Sequence, residues 1–161
     1  MRRSPSHSRS PAHSRSSVKR VLIVSKKQNK KEKNKMSCCS DVMKPIEASS
    51  CCMPKDTAAH AARAMRESKC GCTPVVESKE KLNLVGVVTE RDICHAVAAN
   101  DRRASEVRVE EIMRPAVSAC CGAEDSLEEV AQKLSDHQTT SLPVVNKAGT
   151  CCGTISLHHI R

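Results

Sequence analysis

The sequence contains the same short motifs twice, in the same order and about 70 residues apart. Residues 41–45 (DVMKP) correspond to residues 111–115 (EIMRP), and the PVV motif at 74–76 occurs again at 143–145. A repeat of this length indicates one supersecondary unit present in two copies, and one small unit buries too little apolar surface to be stable alone. The 161-residue chain therefore has room for two small units that share a core, and a large multidomain enzyme is excluded.

Helices are predicted at the same places in both copies. Apolar residues follow Asp56 and Asp125 at spacings of three and four, as in an amphipathic helix. They are Ala58, Ala61, Ala62 and Met65 in the first copy, and Leu127, Val130, Ala131 and Leu134 in the second. A further helix is predicted from Glu90 to about Asn100, whereas the second copy ends at Arg161, about one turn into the equivalent helix.

Two strands are predicted between the helices of each copy. Short β-branched segments that begin at or next to proline indicate strands at 73–77 and 142–146. The strands that follow them are predicted at 84–88 and 151–155. With an earlier strand before the first helix, each copy reads strand, helix, strand, strand, helix, and the fold class is α/β (α+β).

The positive charge of the chain lies in its first 35 residues. Residues 1–35 carry twelve Lys or Arg and one acid, and the remainder has a net charge of −2. Because this segment cannot bury enough apolar surface to offset its ordering entropy, it is predicted to be disordered. It is open to four interpretations: a segment that binds nucleic acid or an anionic surface, a transit peptide, a solvated extension before Met36, or an artefact of an upstream start codon.

The eleven cysteines do not form a disulfide pattern. Their number is odd, most occur in adjacent or nearly adjacent pairs, and the apolar run at 21–24 is too short for a signal peptide or a membrane span. A reducing cytoplasm is therefore expected. Cys151 and Cys152 stand where the first copy has Leu84 and Val85, so that they are predicted to act as strand hydrophobes. Without a C-x2-C pair no metal site is predicted, and the pair at 38–39 is expected to be the most exposed.

These motifs resemble the tandem cystathionine-β-synthase (CBS) domain pair, also called a Bateman module. The resemblance is carried by the Met-Lys/Arg-Pro motifs, the helix starts at Asp56 and Asp125, the PVV strands, and the segments 86–93 and 153–160. It covers about 120 residues. Any one of these motifs alone would be a weak indication, but their order and duplication make the assignment specific.

The resemblance implies two βαββα units, at 41–100 and 111–161, joined by a linker at 101–110 and packed as a pseudo-twofold pair after the basic tail. It also implies a non-catalytic regulatory function, in which a cleft between the units binds AMP, ADP, ATP or S-adenosylmethionine and signals to a protein partner. No cofactor is required. A homodimer is expected, because such modules often pair into disc-shaped dimers.

The first copy contains the family's Thr/Ser-x-x-Asp motif as Thr89 and Asp92. The resemblance implies that Asp92 accepts hydrogen bonds from ribose hydroxyls and that Thr89 contacts the ribose or a phosphate. A carboxylate can accept both donors of a vicinal diol, and free N–H groups at a helix start favour a phosphate. The same pattern also indicates a capping box, in which both residues only stabilise the helix. Arg91 is a candidate phosphate contact or a solvent-exposed surface residue.

The second copy has Ser156 and His159 at the equivalent positions. A neutral imidazole offers one acceptor and a protonated one offers none, so that one competent cleft is expected rather than two. His158 and His159 are candidates for a phosphate contact or for titration near neutral pH, or they are exposed terminal residues. In the first cleft, the resemblance implies that adenine lies against segments 50–53 and 70–74, which include Cys51, Cys72 and Pro74.

The alternative function is a nucleic-acid-associated dimer, in which residues 1–35 supply the positive charge. The chain has no Phe, Tyr or Trp, which excludes binding of single-stranded nucleic acid by aromatic stacking. An enzyme is disfavoured because no nucleophile–base set, phosphate-binding glycine-rich loop or metal motif is found in the sequence.

Overall fold

The computed structural model describes residues 37–47 and 50–160. The predicted disorder of residues 1–35 and their proposed contact with nucleic acid lie outside these residues. Among the described residues, no helix combines the length and the apolar character needed to cross a membrane.

The chain forms six α-helices and seven strands in the described part. The helices are α1 (Cys39–Val42), α2 (Ala58–Ser68), α3 (Glu90–Ala98), α4 (Val109–Ile112), α5 (Leu127–Asp136) and α6 (Leu157–Ile160). The strands are β1 (Lys44–Pro45), β2 (Cys72–Val76), β3 (Leu84–Thr89), β4 (Arg114–Pro115), β5 (Cys121–Gly122), β6 (Ser141–Val145) and β7 (Cys151–Ser156). A short 3-10 helix, Ala116–Ser118, follows β4. The predicted helices and strands are confirmed, and β2 and β6 each begin one residue earlier than predicted.

Two sheets with the same internal order form the centre of the molecule. In the first sheet, antiparallel β2, β3 and β4 are adjacent, and Cys52 forms a parallel bridge with Val75 of β2. In the second sheet the order is β5-β6-β7-β1, and Cys121 of β5 pairs in parallel with Val144 of β6. The second copy thus has the predicted strand, helix, strand, strand, helix order, whereas in the first copy the strand before the helix is reduced to the single parallel bridge at Cys52.

The edge strands are exchanged between the two copies. β1 pairs with β7 of the second copy, and β4 pairs with β3 of the first. The glycine opposite each edge strand permits this approach, since a Cβ at Gly86 would lie 2.8 Å from the Arg114 carbonyl oxygen and one at Gly153 would overlap the Lys44 carbonyl oxygen. The proposed division at 41–100 and 111–161 is therefore a division of the sequence repeat, because each sheet uses a strand from both copies.

The core joins the facing sides of the two sheets. Its largest cluster contains Cys72 and Val87 of the first sheet with Leu142, Val144 and Ile155 of the second. Val130 and Leu134 of α5 complete it from the second copy. Because residues from both sheets fill one cluster, the two units share a core, as the length of the chain requires.

Two predictions about buried positions are wrong. Ala62 is exposed and Ala64 is buried in its place, because the buried stripe of α2 follows Ala58, Ala61 and Ala64 at a spacing of three before it reaches Met65. Cys39 is fully buried, since α1 packs against the main cluster, whereas Cys94 on α3 is exposed. The pair at 38–39 is therefore not the most exposed.

The predicted linker at 101–110 is partly buried. Val107 and Val109 are fully buried, and their backbone hydrogen-bonds the start of α2: the Ala58 N–H donates to the Val107 carbonyl and the Val109 N–H to the Asp56 carbonyl. This segment therefore holds the first copy together as well as connecting it to the second.

Candidate functional site

Thr89 and Asp92 form a capping box at the start of α3. The Thr89 backbone N–H and hydroxyl donate to Asp92 Oδ2 at 3.0 and 2.7 Å, and the Asp92 N–H donates to Thr89 Oγ1 at 3.3 Å. Three helix-terminal polar groups are thereby paired, as expected where the first N–H groups of a helix have no partner within it. Thr89 ends the buried strand β3, so that the sheet fixes the position of this helix start.

Arg114 binds the second oxygen of the same carboxylate. Its Nε and Nη2 donate to Asp92 Oδ1 at 3.0 and 2.8 Å, which makes an ion pair in which the Asp92 side chain is only 12% exposed. Arg114 lies on β4, the strand that the second copy contributes to the first sheet. Both Asp92 oxygens are thus engaged, one by the helix cap and the other by a guanidinium from the second copy.

Ser156 and His159 reproduce the cap in the second copy without the charge. The Ser156 N–H donates to His159 Nδ1 at 3.2 Å, and the Ser156 hydroxyl lies 3.4 Å from the same nitrogen. An acceptor at Nδ1 requires that nitrogen to be unprotonated. The residue equivalent to Arg114 is Lys44, whose Nζ donates to the Ser68 carbonyl at 3.1 Å. The second copy therefore keeps the cap and lacks the ion pair.

The other predicted site residues lie in different surroundings. Cys51 and Cys72 are buried in different apolar clusters, and Pro74 is buried within β2. Burial raises the pKa of Cys51 to about 11, and burial likewise raises the pKa of Cys72 above its usual range. Their thiols are therefore neutral packing groups. Arg91 is exposed and donates to Gln138 Oε1 at 3.1 Å.

A surface depression borders the Thr89–Asp92 pair. Its volume is about 580 Å³, and its lining residues are Asp92, His95, Ala96, Ala99, Asn100 and Ile112. It is wide open to solvent, and none of Cys51, Cys72 and Pro74 lines it. The structure thus places a charged, partly buried carboxylate at the edge of an open surface depression, apart from the other predicted site residues.

Sequence reasoning missed Arg114 as a member of this site. The residue belongs to the repeated Met-Lys/Arg-Pro motif, which we used only to recognise the repeat. The signal was the difference between Lys44 and Arg114, since only arginine presents two parallel donors to one carboxylate.

The CBS domain family model matches residues 39–99 and 109–161. Similar solved structures include Hypoxic Response Protein I with two coordinated zinc ions, which has 22% sequence identity and a TM-score of 0.64, with 77% of this chain and 96% of that chain covered. CBSX2 from Arabidopsis thaliana, solved in complex with AMP, has 22% identity and a TM-score of 0.60, with coverage of 76% and 92%.

A third similar structure is a CBS domain pair in complex with 5′-methylthioadenosine and S-adenosyl-L-methionine. Its identity is 22% and its TM-score 0.62, with 78% of this chain and 93% of that chain covered. At this identity these likenesses concern the fold.

Two curated proteins have similar sequences. A homoserine O-acetyltransferase of Methanosphaera stadtmanae is 26% identical over 87 residues, which are 54% of this chain and 16% of that protein. An uncharacterized protein of Methanopyrus kandleri is 28% identical over 110 residues, which are 66% of this chain and 53% of that protein. The chain thus spans about half or less of the length of these relatives. Because the family model covers most of the chain and matches it twice, the chain belongs to the CBS domain family as a tandem pair.

Proposed function

We propose that this protein is a non-catalytic regulatory module that binds an adenosine-containing ligand in its first cleft. The observation that carries the proposal is Asp92, a carboxylate that is mostly shielded from solvent, positioned by β3 and α3, and paired with Arg114 of the second copy. The complexes of related folds with AMP and with S-adenosyl-L-methionine support the ligand class.

The ribose diol replaces the guanidinium on Asp92. Oδ2 stays with the helix cap, whereas Oδ1, which now accepts from Arg114, accepts from the ribose hydroxyls. The released guanidinium is then free to pair with a phosphate. A nucleotide would therefore bind better than the nucleoside, because it offers Arg114 a new partner.

This exchange of partners gives the module a means to signal. Arg114 lies on β4, so that its ion pair with Asp92 joins a strand of the second copy to a helix of the first. A ligand that breaks the ion pair favours a different packing of the two copies, by the difference between its affinities for the two states. A protein partner or a second copy of the chain that contacts this region responds to that change.

The second copy binds the ligand weakly or not at all in this proposal. His159 Nδ1 already accepts from the Ser156 N–H, and an imidazole has no second acceptor for a diol. The expected stoichiometry is one ligand per chain.

Thermal unfolding with AMP, ADP, ATP and S-adenosylmethionine tests the ligand class, since a ligand that binds only the folded state raises the midpoint. We expect at least one of them to do so, and Asp92→Asn to remove the shift. His159→Asn is the matched control in the other copy and keeps it. If no ligand raises the midpoint, or if Asp92→Asn retains the full shift, the proposal is wrong.

Arg114→Gln tests the exchange of partners. The variant frees Asp92, so that we expect tighter binding of adenosine together with a smaller preference for AMP over adenosine, both measured by calorimetric titration. An unchanged preference would show that Arg114 does not contact the phosphate.

A further inference from the structure

Three potential metal ligands converge at the start of α2, away from Thr89 and Asp92. The Cys52 sulfur, an Asp56 carboxylate oxygen and a His60 imidazole nitrogen all lie within 4.8 Å of one another. Asp56 Oδ2 and His60 Nε2 are 3.9 Å apart. In the described part of the chain, this is the one place where three Cys, His, Asp or Glu side chains come this close.

The backbone holds the three residues in this arrangement. Cys52 is fixed beside β2, because its N–H donates to the Pro74 carbonyl and its carbonyl accepts from the Val76 N–H, at 2.9 and 2.8 Å. Asp56 Oδ2 accepts from the Met53 N–H at 2.8 Å, which orients its carboxylate. His60 lies in the first turn of α2 with its side chain 40% exposed, so that the imidazole can adjust while the other two groups stay in place.

At the equivalent position, the second copy has a lysine that the first copy does not have. Cys121 and Asp125 correspond to Cys52 and Asp56, and the Asp125 carboxylate accepts from the Gly122 N–H at 2.8 Å in the same way. There, Lys133 Nζ lies 2.6 Å from Asp125 Oδ2 and supplies a positive charge. The first copy has Ala64 at the position of Lys133 and His60 at the position of Glu129. In the first copy, Ala64 thus stands in place of the lysine, and the imidazole of His60 lies 3.9 Å from the Asp56 carboxylate.

From this substitution and geometry, we propose that Cys52, Asp56 and His60 bind a divalent transition-metal ion, with Zn²⁺ the best fit. A thiolate, a carboxylate and a neutral imidazole together carry two negative charges, which match the ion. Tetrahedral Zn²⁺ with bonds of 2.0–2.3 Å needs ligand atoms roughly 3.3–3.7 Å apart, so that ligand atoms within 4.8 Å of one another must close by at most about 1.5 Å. Sulfur and nitrogen ligands disfavour Mg²⁺ and Ca²⁺.

Binding requires the Cys52 thiol to release its proton to solvent as the sulfur coordinates the ion. Burial and the nearby Asp56 raise the pKa of Cys52 to about 12, so that the sulfur is a thiol until a cation arrives. The half-exposed His60 side of the site leaves the fourth position to water. The ion then ties the segment beside β2 to helix α2.

Co²⁺ titration of the full chain tests the site, because a cobalt–thiolate bond gives a charge-transfer absorption band that neither component has alone. We expect this band to saturate at one equivalent and Zn²⁺ to displace the Co²⁺. Cys52→Ser and His60→Gln should each abolish the band at that equivalence point. Cys121→Ser and Glu129→Gln, the matched substitutions in the second copy, should leave it unchanged.

A stability measurement adds a second readout. Zn²⁺ should raise the thermal midpoint of the unmodified chain and of Cys121→Ser, and should not raise that of His60→Gln. His60 is half-exposed, so that its replacement does not endanger folding. The proposal is overturned if His60→Gln keeps the band and the shift, or if Cys121→Ser loses them to the same extent. Neither result bears on the nucleotide cleft, because no nucleotide is present.

Discussion

The last helices of the two copies begin with the same hydrogen bonds and with different charges. In α3 a carboxylate accepts from the Thr89 N–H, and in α6 the His159 imidazole accepts from the Ser156 N–H. Capping thus needs only an acceptor at the third helical position, and a neutral one is sufficient. The negative charge of Asp92 is additional to that requirement, and its partner is Arg114 from the other copy. A neutral acceptor is therefore sufficient for the helix cap, and the negative charge of Asp92 is a feature of the proposed ligand site.

The starts of α2 and α5 differ in the same manner. Asp56 and Asp125 each accept an N–H from three residues before them, and this turn is part of the fold in both copies. The first copy then adds His60, and the second adds Lys133. At both helix starts, the residues common to the two copies stabilise the helix. The residue that differs determines which charged group can bind there.

The largest expected difference between the copies concerns their cores. Leu134 on α5 is 1% exposed, and Met65 is the equivalent residue on α2. We expect Leu134→Ala to lower the free energy of unfolding by about 3–4 kcal/mol and Met65→Ala by about 2–3 kcal/mol. Leu134 belongs to the larger cluster that joins both sheets, and flexible neighbours fill a methionine's place more readily. Urea unfolding at constant m-value measures both, and a larger loss for Met65→Ala would contradict the ranking.

Substitutions at the glycines opposite the exchanged edge strands should have the next largest effect on stability. A methyl group at Gly153 would overlap backbone of β1, whereas one at Gly86 would meet the Arg114 carbonyl at 2.8 Å and the flexible Met113 side chain. We expect both alanine variants to lose roughly 1–3 kcal/mol, with Gly153→Ala at the upper end. The same urea experiment compares them with Gly149→Ala. That glycine has open space around it and φ of +79°, so that its cost reflects backbone strain alone. If Gly153→Ala costs no more than Gly149→Ala, the close approach of β1 is wrong.

The repeat made the longer helices and strands predictable, since each of them had two sequences to support it, whereas the four-residue helices α1 and α4 were not predicted. Motif order predicted the elements around Asp56 and Asp125 to within a few residues. The exchange of β1 and β4 was not predictable in this way, because a two-residue strand carries no periodicity from which its partner can be inferred.

The candidate site was predictable only in part, for a related reason. Thr89 and Asp92 lie in one motif, and local geometry brings them together. Arg114 is 22 residues from Asp92 and reaches it only because β4 crosses to the other sheet. Cys52, Asp56 and His60 do not form a recognisable metal motif in the sequence, because the group has a single cysteine, with the other ligands at spacings of four.

Removing the capping hydroxyl should give a smaller difference in stability between the starts of α3 and α6. Thr89→Ala should cost about 1–2 kcal/mol, because the hydroxyl donates to Asp92 at 2.7 Å and accepts from its N–H. Ser156→Ala should cost less than about 1 kcal/mol, because its hydroxyl contact to His159 is 3.4 Å long. Thermal unfolding of the two variants measures the difference. Equal losses would mean that the charge of Asp92 adds nothing to the cap.

Replacing Lys133 should have the smallest effect on the free energy of unfolding. The pH dependence of this effect shows whether it comes from the ion pair with Asp125. Burial acts to raise the pKa of Asp125, but hydrogen bonds from Lys133 and the Gly122 N–H outweigh it and hold that pKa below its usual range. The hydrogen bond with Asp125 raises the pKa of Lys133. A carboxyl with a lowered pKa stabilises the fold above its unfolded-state value, and this stabilisation is lost as the pH falls through the folded-state value. The lysine's contribution is lost only as the pH rises through its own raised value.

Lys133→Met should therefore cost up to about 1 kcal/mol at pH 7 and low salt, because Lys133 is 40% exposed and solvent screens the pair. The difference from the unmodified chain should shrink as the pH falls below about 4 and Asp125 becomes protonated. Lys147→Met is the control, since Lys147 and Glu124 are 84% and 75% exposed and their ion pair should have no measurable effect. A Lys133→Met cost that persists at acidic pH would assign the role of Lys133 to packing of its alkyl chain, and the charge difference between Ala64 and Lys133 would then no longer distinguish the two copies.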